Sequence, residues 1–286
     1  MLATIKFHPG PLILNIGRLL VAGALLSALA YGQPGQSQAG KAAGASKNDK
    51  ITRWVEAVRK HNTGAAGYEI EQLAEAGAVQ AIPVLEERFA RMQLIPSKYP
   101  SLLAIEKAQV ASALVRLREK KQVYWDYLVK QATLAVENDA PDPVSYDSNG
   151  KEKVSPAFIA WVKAHKLGHR GVLDEYELML PGPVLLLGVT GDPRGVPVLR
   201  RGLLSPNYTV ESAAAQGLAQ IGDEASVPLI IEACGKAPAK ETASIARSLV
   251  YFDDPEAQKA VDKYVPKDQA KLYRGERARG KKKPLP

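Results

Sequence analysis

The stretch Gly191-Asp192-Pro193-Arg194-Gly195-Val196-Pro197-Val198-Leu199 returns 31 residues later as Gly222-Asp223-Glu224-Ala225-Ser226-Val227-Pro228-Leu229-Ile230. A looser copy, Asp253-Asp254-Pro255-Glu256-Ala257, follows about one period on. Apolar residues at spacings of three and four flank each turn, so every copy reads as a helix, a tight turn and a second helix. One such pair cannot bury its own apolar face and must stack on its neighbours. The expected fold is therefore all-α, a right-handed solenoid of stacked antiparallel helix pairs.

In the clearest unit the first helix, A, runs from about Thr209 to Ile221. Ala213, Ala214 and Gly217 permit close approach, and Leu218 and Ile221 fill the seam. Ser205-Pro206-Asn207 is a start signal and Gly222 a stop. Asp223 is placed to cap the second helix, B, and Pro228 falls in that helix's first turns, where a missing amide donor costs little. Helix B uses Val227, Ile230 and Ile231. The same frame holds Leu187, Gly191, Asp192 and Pro197 before it, and Leu249, Asp253 and Asp254 after it. Upstream it reappears as Leu73, Gly77 and Ile82-Pro83-Val84-Leu85, placing a first repeat at about 65–94. Ala104–Leu117 and Gln122–Val136 form a second pair around Arg118-Glu119-Lys120-Lys121. Ile51, Trp54, Val55 and Val58 make the stripe of a capping helix.

The pattern Ala213-Ala214, Leu218-Ala219-Gln220-Ile221-Gly222-Asp223, Ala225 and Val227-Pro228-Leu229 resembles HEAT repeats, of the short variety found in phycocyanobilin lyase-like proteins. The likeness covers about two thirds of the chain after its leader and rests on packing and capping residues. It implies a solenoid surface that binds a protein or peptide. As an alternative it implies a lyase or chaperone-like enzyme acting on a protein-bound cofactor, although no bilin-binding residue matches. Glu211 stands where such repeats often carry Arg, which interrupts any ladder of stacked Arg and Asp along the inner turns.

The chain has 286 residues, 46% hydrophobic but only 6% aromatic, so its core is Ala, Leu and Val, suited to helix on helix. Cys234 is the only cysteine, which excludes an intramolecular disulfide; its place near a helix C-terminus disfavours a thiolate, and it reads as a small buried apolar residue. Lys6, His8 and Arg18 precede an uncharged run, Leu19–Leu29, too short to span a bilayer and ending in Ala28 and Ala30, the small residues a signal peptidase accepts. Residues 1–30 are thus read as a signal peptide cleaved before Tyr31, and the protein as exported to the periplasm or beyond. The alternative is retention as an inner-membrane anchor. Residues 31–50, rich in Gln, Gly, Ala, Ser and Lys, form a flexible linker, and 51–265 the solenoid.

From 137 to 156 the repeat breaks into an expected irregular loop whose Asp139, Asp142, Asp147 and Asn149 are oxygen donors, but not at EF-hand spacing. Phe158, Ile159, Trp161, Val162 and His165 form a further amphipathic helix. His165 and His169 have zinc-like spacing, yet Lys166 occupies the position a metalloprotease fills with Glu, and Gly168 ends the helix between them. A metal-dependent hydrolase built from these residues is the least favoured reading. No Gly-rich phosphate loop or nucleophile elbow is present; Gly188-Val189-Thr190-Gly191-Asp192 ends a helix and does not follow a strand. No cofactor, bound metal or catalytic group is assigned.

The net charge of +8 sits almost wholly in the last 24 residues, where nine Lys or Arg face Asp268 and Glu276. Residues 266–286 read as a disordered basic tail. Arg274, Arg277, Arg279, Lys281, Lys282 and Lys283 are its contact candidates for an anionic envelope component, with nucleic acid not expected for an exported chain. These features together lead to a non-catalytic exported scaffold or adaptor that binds an envelope protein or peptide on its solenoid surface.

Overall fold

The computed structural model describes residues 46–61, 66–92, 100–142, 144–147, 152–165 and 181–278. Among the described residues helix α1 (Lys47–Lys60) is followed by five helix pairs: α2 (Gly67–Glu75) with α3 (Ile82–Arg91), α4 (Pro100–Arg116) with α5 (Gln122–Glu137), α7 (Gly182–Val189) with α8 (Val196–Gly202), α9 (Tyr208–Ile221) with α10 (Val227–Lys236), and α11 (Ala239–Ala246) with α12 (Pro255–Tyr264). Helix α6 (Pro156–Ala164) belongs to the insertion after the second pair, and α13 (Lys267–Ala278) closes the array. The A helices α2, α4, α7, α9 and α11 pack on one another in chain order. Helices α4 and α5 both reach α7, so the stack continues across the insertion. The chain is therefore an α-solenoid built on one continuous apolar core. Among the described residues no helix is long and apolar enough to cross a membrane.

The A–B turns obey one local rule. Gly77, Gly191 and Gly222 all take positive φ, at 64°, 68° and 80°. In the second pair Arg118 occupies the same place at φ 64°, bearing the strain a Cβ brings to this region. The following amide then reaches back five residues: Ala78 N–H to the Leu73 carbonyl at 3.0 Å, Glu119 to Leu114 at 2.9 Å and Asp223 to Leu218 at 3.1 Å. These bonds satisfy carbonyls that a helix end leaves open. In the third pair Asp192 N–H instead donates to Thr190 Oγ1 at 3.2 Å. A 3₁₀ turn and a proline at the start of helix B complete the motif in the first, third and fourth pairs.

Small residues set the spacing of the A helices. A Cβ built on Gly188 of α7 would lie 2.1 Å from the Gly217 Cα of α9, and one on Gly217 would press Leu199 at 2.9 Å. The obstacle at Gly188 is backbone, so relief requires moving a whole helix. Gly188→Ala is expected to lower stability by about 3 kcal/mol, at the upper end of overpacking costs. Thermal unfolding beside Gly182→Ala, whose Cβ meets nothing closer than Ile105 Cγ2 at 3.9 Å, checks it; equal melting points would refute the close approach.

Three sequence boundaries need correction. The linker ends earlier than residue 50: Ser46 caps α1 in a reciprocal box with Asp49, whose backbone N–H donates to Ser46 Oγ at 3.2 Å while its carboxylate accepts from Ser46 N–H at 3.0 Å. The insertion 137–156 is not wholly irregular: Val144–Tyr146 (β1) pairs antiparallel with Glu152–Val154 (β2), with Val144 opposite Val154. The tail from 266 is helical through Ala278, because Ala270 is buried on the array and the arginines of α13 find partners there. The solenoid thus ends in its own cap.

Candidate functional site

Consecutive repeats are tied along the turn edge by polar contacts that change chemistry from rung to rung. Nine residues past the left-handed glycine, Glu86 and Arg200 hold equivalent places in the first and third pairs. The Glu86 carboxylate accepts from Lys121 Nζ and, at 2.8 Å, from Tyr124 Oη, both in the second pair. The bond from Lys121 holds its pKa below the usual carboxylate range. Arg200 donates through Nε and Nη2 to the Asp223 carboxylate at 3.0 Å, and through Nε to Ser226 Oγ at 2.9 Å, in the fourth pair. The rung between the second and third pairs is cation–π: the Arg194 guanidinium, bonded to Asp192 at 2.7 Å, lies 4.3 Å from the Trp125 ring centre. Asp223 therefore spends its carboxylate on Arg200 and Ser226 and makes no helix cap, against expectation. Asp192 and Asp254 do cap, accepting backbone N–H bonds from Arg194 and from Glu256 and Ala257.

Beside this third-to-fourth rung the B helices α8 and α10 enclose a groove of about 230 Å³. Its shape follows from the end of α8. A Cβ on Gly202 would meet the Ala214 Cβ at 2.8 Å and Val136 at 3.3 Å, so glycine lets the helix terminate tight against α5 and α9. The chain then turns Leu203 into the core and leaves Leu204 75% exposed. On α10, Val227, Ile230, Ala233 and Cys234 face inward, while Leu229, Glu232 and Lys236 lie outward at helical spacing. Leu203 and Ala233 form the buried floor and Leu204 and Leu229 the exposed apolar walls. Arg200, Arg201, Glu232 and Lys236 complete the lining. Arg201 bonds to Glu137 of α5 at 3.0 Å and Lys236 to Glu232 at 2.6 Å, both pairs more than half exposed. Pairs so exposed contribute little and exchange readily.

Near Lys236, Glu211 of α9 is only 5% exposed. Burial pushes its carboxyl up to about 7, opposed only partly by the Lys236 charge. Cys234 is buried as expected, and burial, with a smaller contribution from Glu211, raises its thiol to about 12. At neutral pH it is a core residue without thiolate character.

The residues singled out in the sequence do not converge. Ala28, Ala30, Arg279, Lys281, Lys282, Lys283, His169 and Asn149 lie outside the described residues. Arg274 is spent on the fold, donating to Asp262 at 2.8 Å and to the Gln258 side chain at 3.2 Å. Arg277 likewise donates to the Val250 and Phe252 carbonyls at 3.0 and 3.2 Å and to Asp253. His165 terminates α6 with its ring tilted against Trp161, centroids 4.4 Å apart, and Trp161 donates to Asp139 at 2.8 Å. Asp139 thus serves the insertion's own packing. Among the described residues no three metal-type ligands come together.

Sequence reasoning missed a charged knot at the N-terminal end. Arg88 of α3 is buried, donates to Glu106 of α4 at 2.7 Å, and binds the Val58 and His61 carbonyls of α1 at 2.5 and 3.0 Å. Beside it, buried Lys107 sits 4.4 Å from the Phe89 ring centre and 4.8 Å from that of Tyr127. The available signal was position: Val84, Leu85, Arg88, Phe89 and Met92 form one helical stripe, and a charge within an apolar stripe must find partners.

No curated protein matches the chain. Residues 184–250 match the family model described as HEAT repeats. That stretch contains α8, α9 and α10, with most of α7 and all of α11, and so includes the groove. Over these residues the chain is built of HEAT repeats.

Proposed function

We propose that this protein is a non-catalytic scaffold or adaptor whose right-handed superhelix binds a protein or peptide partner in the groove between α8 and α10. The observation that carries the reading is the pair Leu204 and Leu229, exposed above a buried apolar floor and bordered by charged side chains that can release their own partners. HEAT repeats commonly serve protein association, and exposed apolar surface rimmed by polar groups is typical of contact sites. The partner belongs to the cell envelope, since the apolar run before Ala28 and Ala30 has the form of an export signal. Cations beyond Ala278 remain for an anionic envelope component, because Arg274 and Arg277 already serve the array.

Full-length tagged protein and a Leu204→Asp, Leu229→Asp variant, purified from the envelope fraction and examined by mass spectrometry, test this reading. A stoichiometric partner held by the parent and lost by the variant is expected, with the mature chain beginning at Tyr31. A partner indifferent to both leucines, or lost only when the chain is stopped at Ala278, moves binding away from the groove. An intact Met1 in that fraction assigns the N-terminal segment to anchoring.

A further inference from the structure

We propose that the occupant of the groove is a short acidic segment carrying leucine-type side chains. The inference rests on the groove reading above and adds the chemistry of the partner. Of the eight lining residues four are apolar, three are cations and one is a carboxylate, so the surface offered to a ligand is oily with a positive rim. The carboxylates that hold Arg200 and Arg201, Asp223 and Glu137, are not lining residues, so they orient the cations without occupying the groove. The cations also keep donor capacity. Among the described residues Arg201 uses Nη1 alone, on Glu137, and Lys236 directs one bond to Glu232. A guanidinium has five N–H donors and an ammonium three, so both can accept an incoming carboxylate without first losing their present partner.

The opposite charge is disfavoured by the same geometry. A lysine-rich segment would bring its ammonium groups against three lining cations whose carboxylates, Asp223, Glu137 and Glu232, are already engaged by them. A purely apolar segment would cover Leu204 and Leu229 but bury the remaining donors of Arg201 and Lys236, those not engaged by Glu137 and Glu232, which costs free energy. An acidic amphipathic segment alone satisfies both the walls and the rim.

Fluorescence anisotropy with the full-length protein separates these cases. Three labelled peptides share one arrangement of leucines and differ only in carrying Glu, Gln or Lys between them. The Glu peptide is expected to bind at least about tenfold more tightly than the Lys peptide. Arg201→Glu with Lys236→Glu is expected to weaken the Glu peptide about tenfold and strengthen the Lys peptide, and the uncharged Leu204→Ser to weaken all three. Leu204 is largely exposed, so that substitution leaves the core alone, and circular dichroism verifies the fold of each variant. Equal or tighter binding of the Gln or Lys peptide overturns the acidic assignment and leaves the groove reading standing. Binding of none of the three overturns both. If Lys259→Glu with Lys263→Glu, on α12 outside the groove, weakens the Glu peptide as much, the attraction is overall charge and the assignment fails.

Discussion

Arg88→Ala is expected to destabilise the protein by about 3–5 kcal/mol, the range for breaking a buried ion pair from one side. The guanidinium joins three helices at once: its own α3, α4 through Glu106, and α1 through two carbonyls at its C-terminal end. Truncation leaves the Glu106 carboxylate buried without that cation and removes a donor from Val58 and His61. The N-terminal helix should therefore loosen first. Denaturant unfolding gives the total, and hydrogen exchange should show lost protection in 47–60 before the rest of the array. The companion variant Arg88→Met with Glu106→Leu removes both charges and is expected to cost much less. Equal losses in the two variants would mean that packing by the side-chain stem, and not the buried charge, holds α1.

Glu211→Gln should act in the opposite direction and depend on pH. The Glu211 carboxyl has an ordinary value of 4.5 and is raised to about 7 by burial. Between these values the folded protein keeps a proton that the unfolded chain has released. Stability therefore falls as pH rises through that window, by about 1.4 kcal/mol per unit and about 3 kcal/mol in all. Below pH 4.5 the group is protonated in both states and contributes no slope. Glutamine keeps the shape of the neutral acid, so it should leave stability near pH 4.5 almost unchanged and add about 3 kcal/mol at pH 8. Melting temperatures at those two pH values decide the matter. An equal shift at both would show that Glu211 is not a buried titrating carboxyl.

The position of Glu211 also shows how sequence and structure divide the work. An Arg-to-Glu exchange on helix A looked like an interrupted ladder, yet the rungs persist because Glu86 with Lys121, Arg194 with Trp125, and Arg200 with Asp223 supply them from helix B and the turns. Glu211 itself is a buried acid close to the Lys236 charge, which no spacing rule announces. The basic tail misled for a similar reason. Counted along the chain it is a block of cations, but Arg274 and Arg277 reach back 12 to 27 residues to Asp262, Asp253 and two carbonyls, and α13 folds onto the array.

What the sequence determined by itself was whatever depends on a few neighbouring residues. The 31-residue period, the left-handed glycines at 77, 191 and 222, the cap at Asn207 and the proline that opens helix B are local stereochemistry, repeated until only a stack of helix pairs satisfies it. Tertiary structure decided everything that joins residues from different repeats. Arg88 meets Val58 across 30 residues, Gly188 meets Gly217 across a helix crossing, and Leu204 and Leu229 come to line one groove only through the packing of the repeats. Charges and exposed leucines carry no periodicity of their own, so their partners exist only after the apolar faces have chosen how to pack.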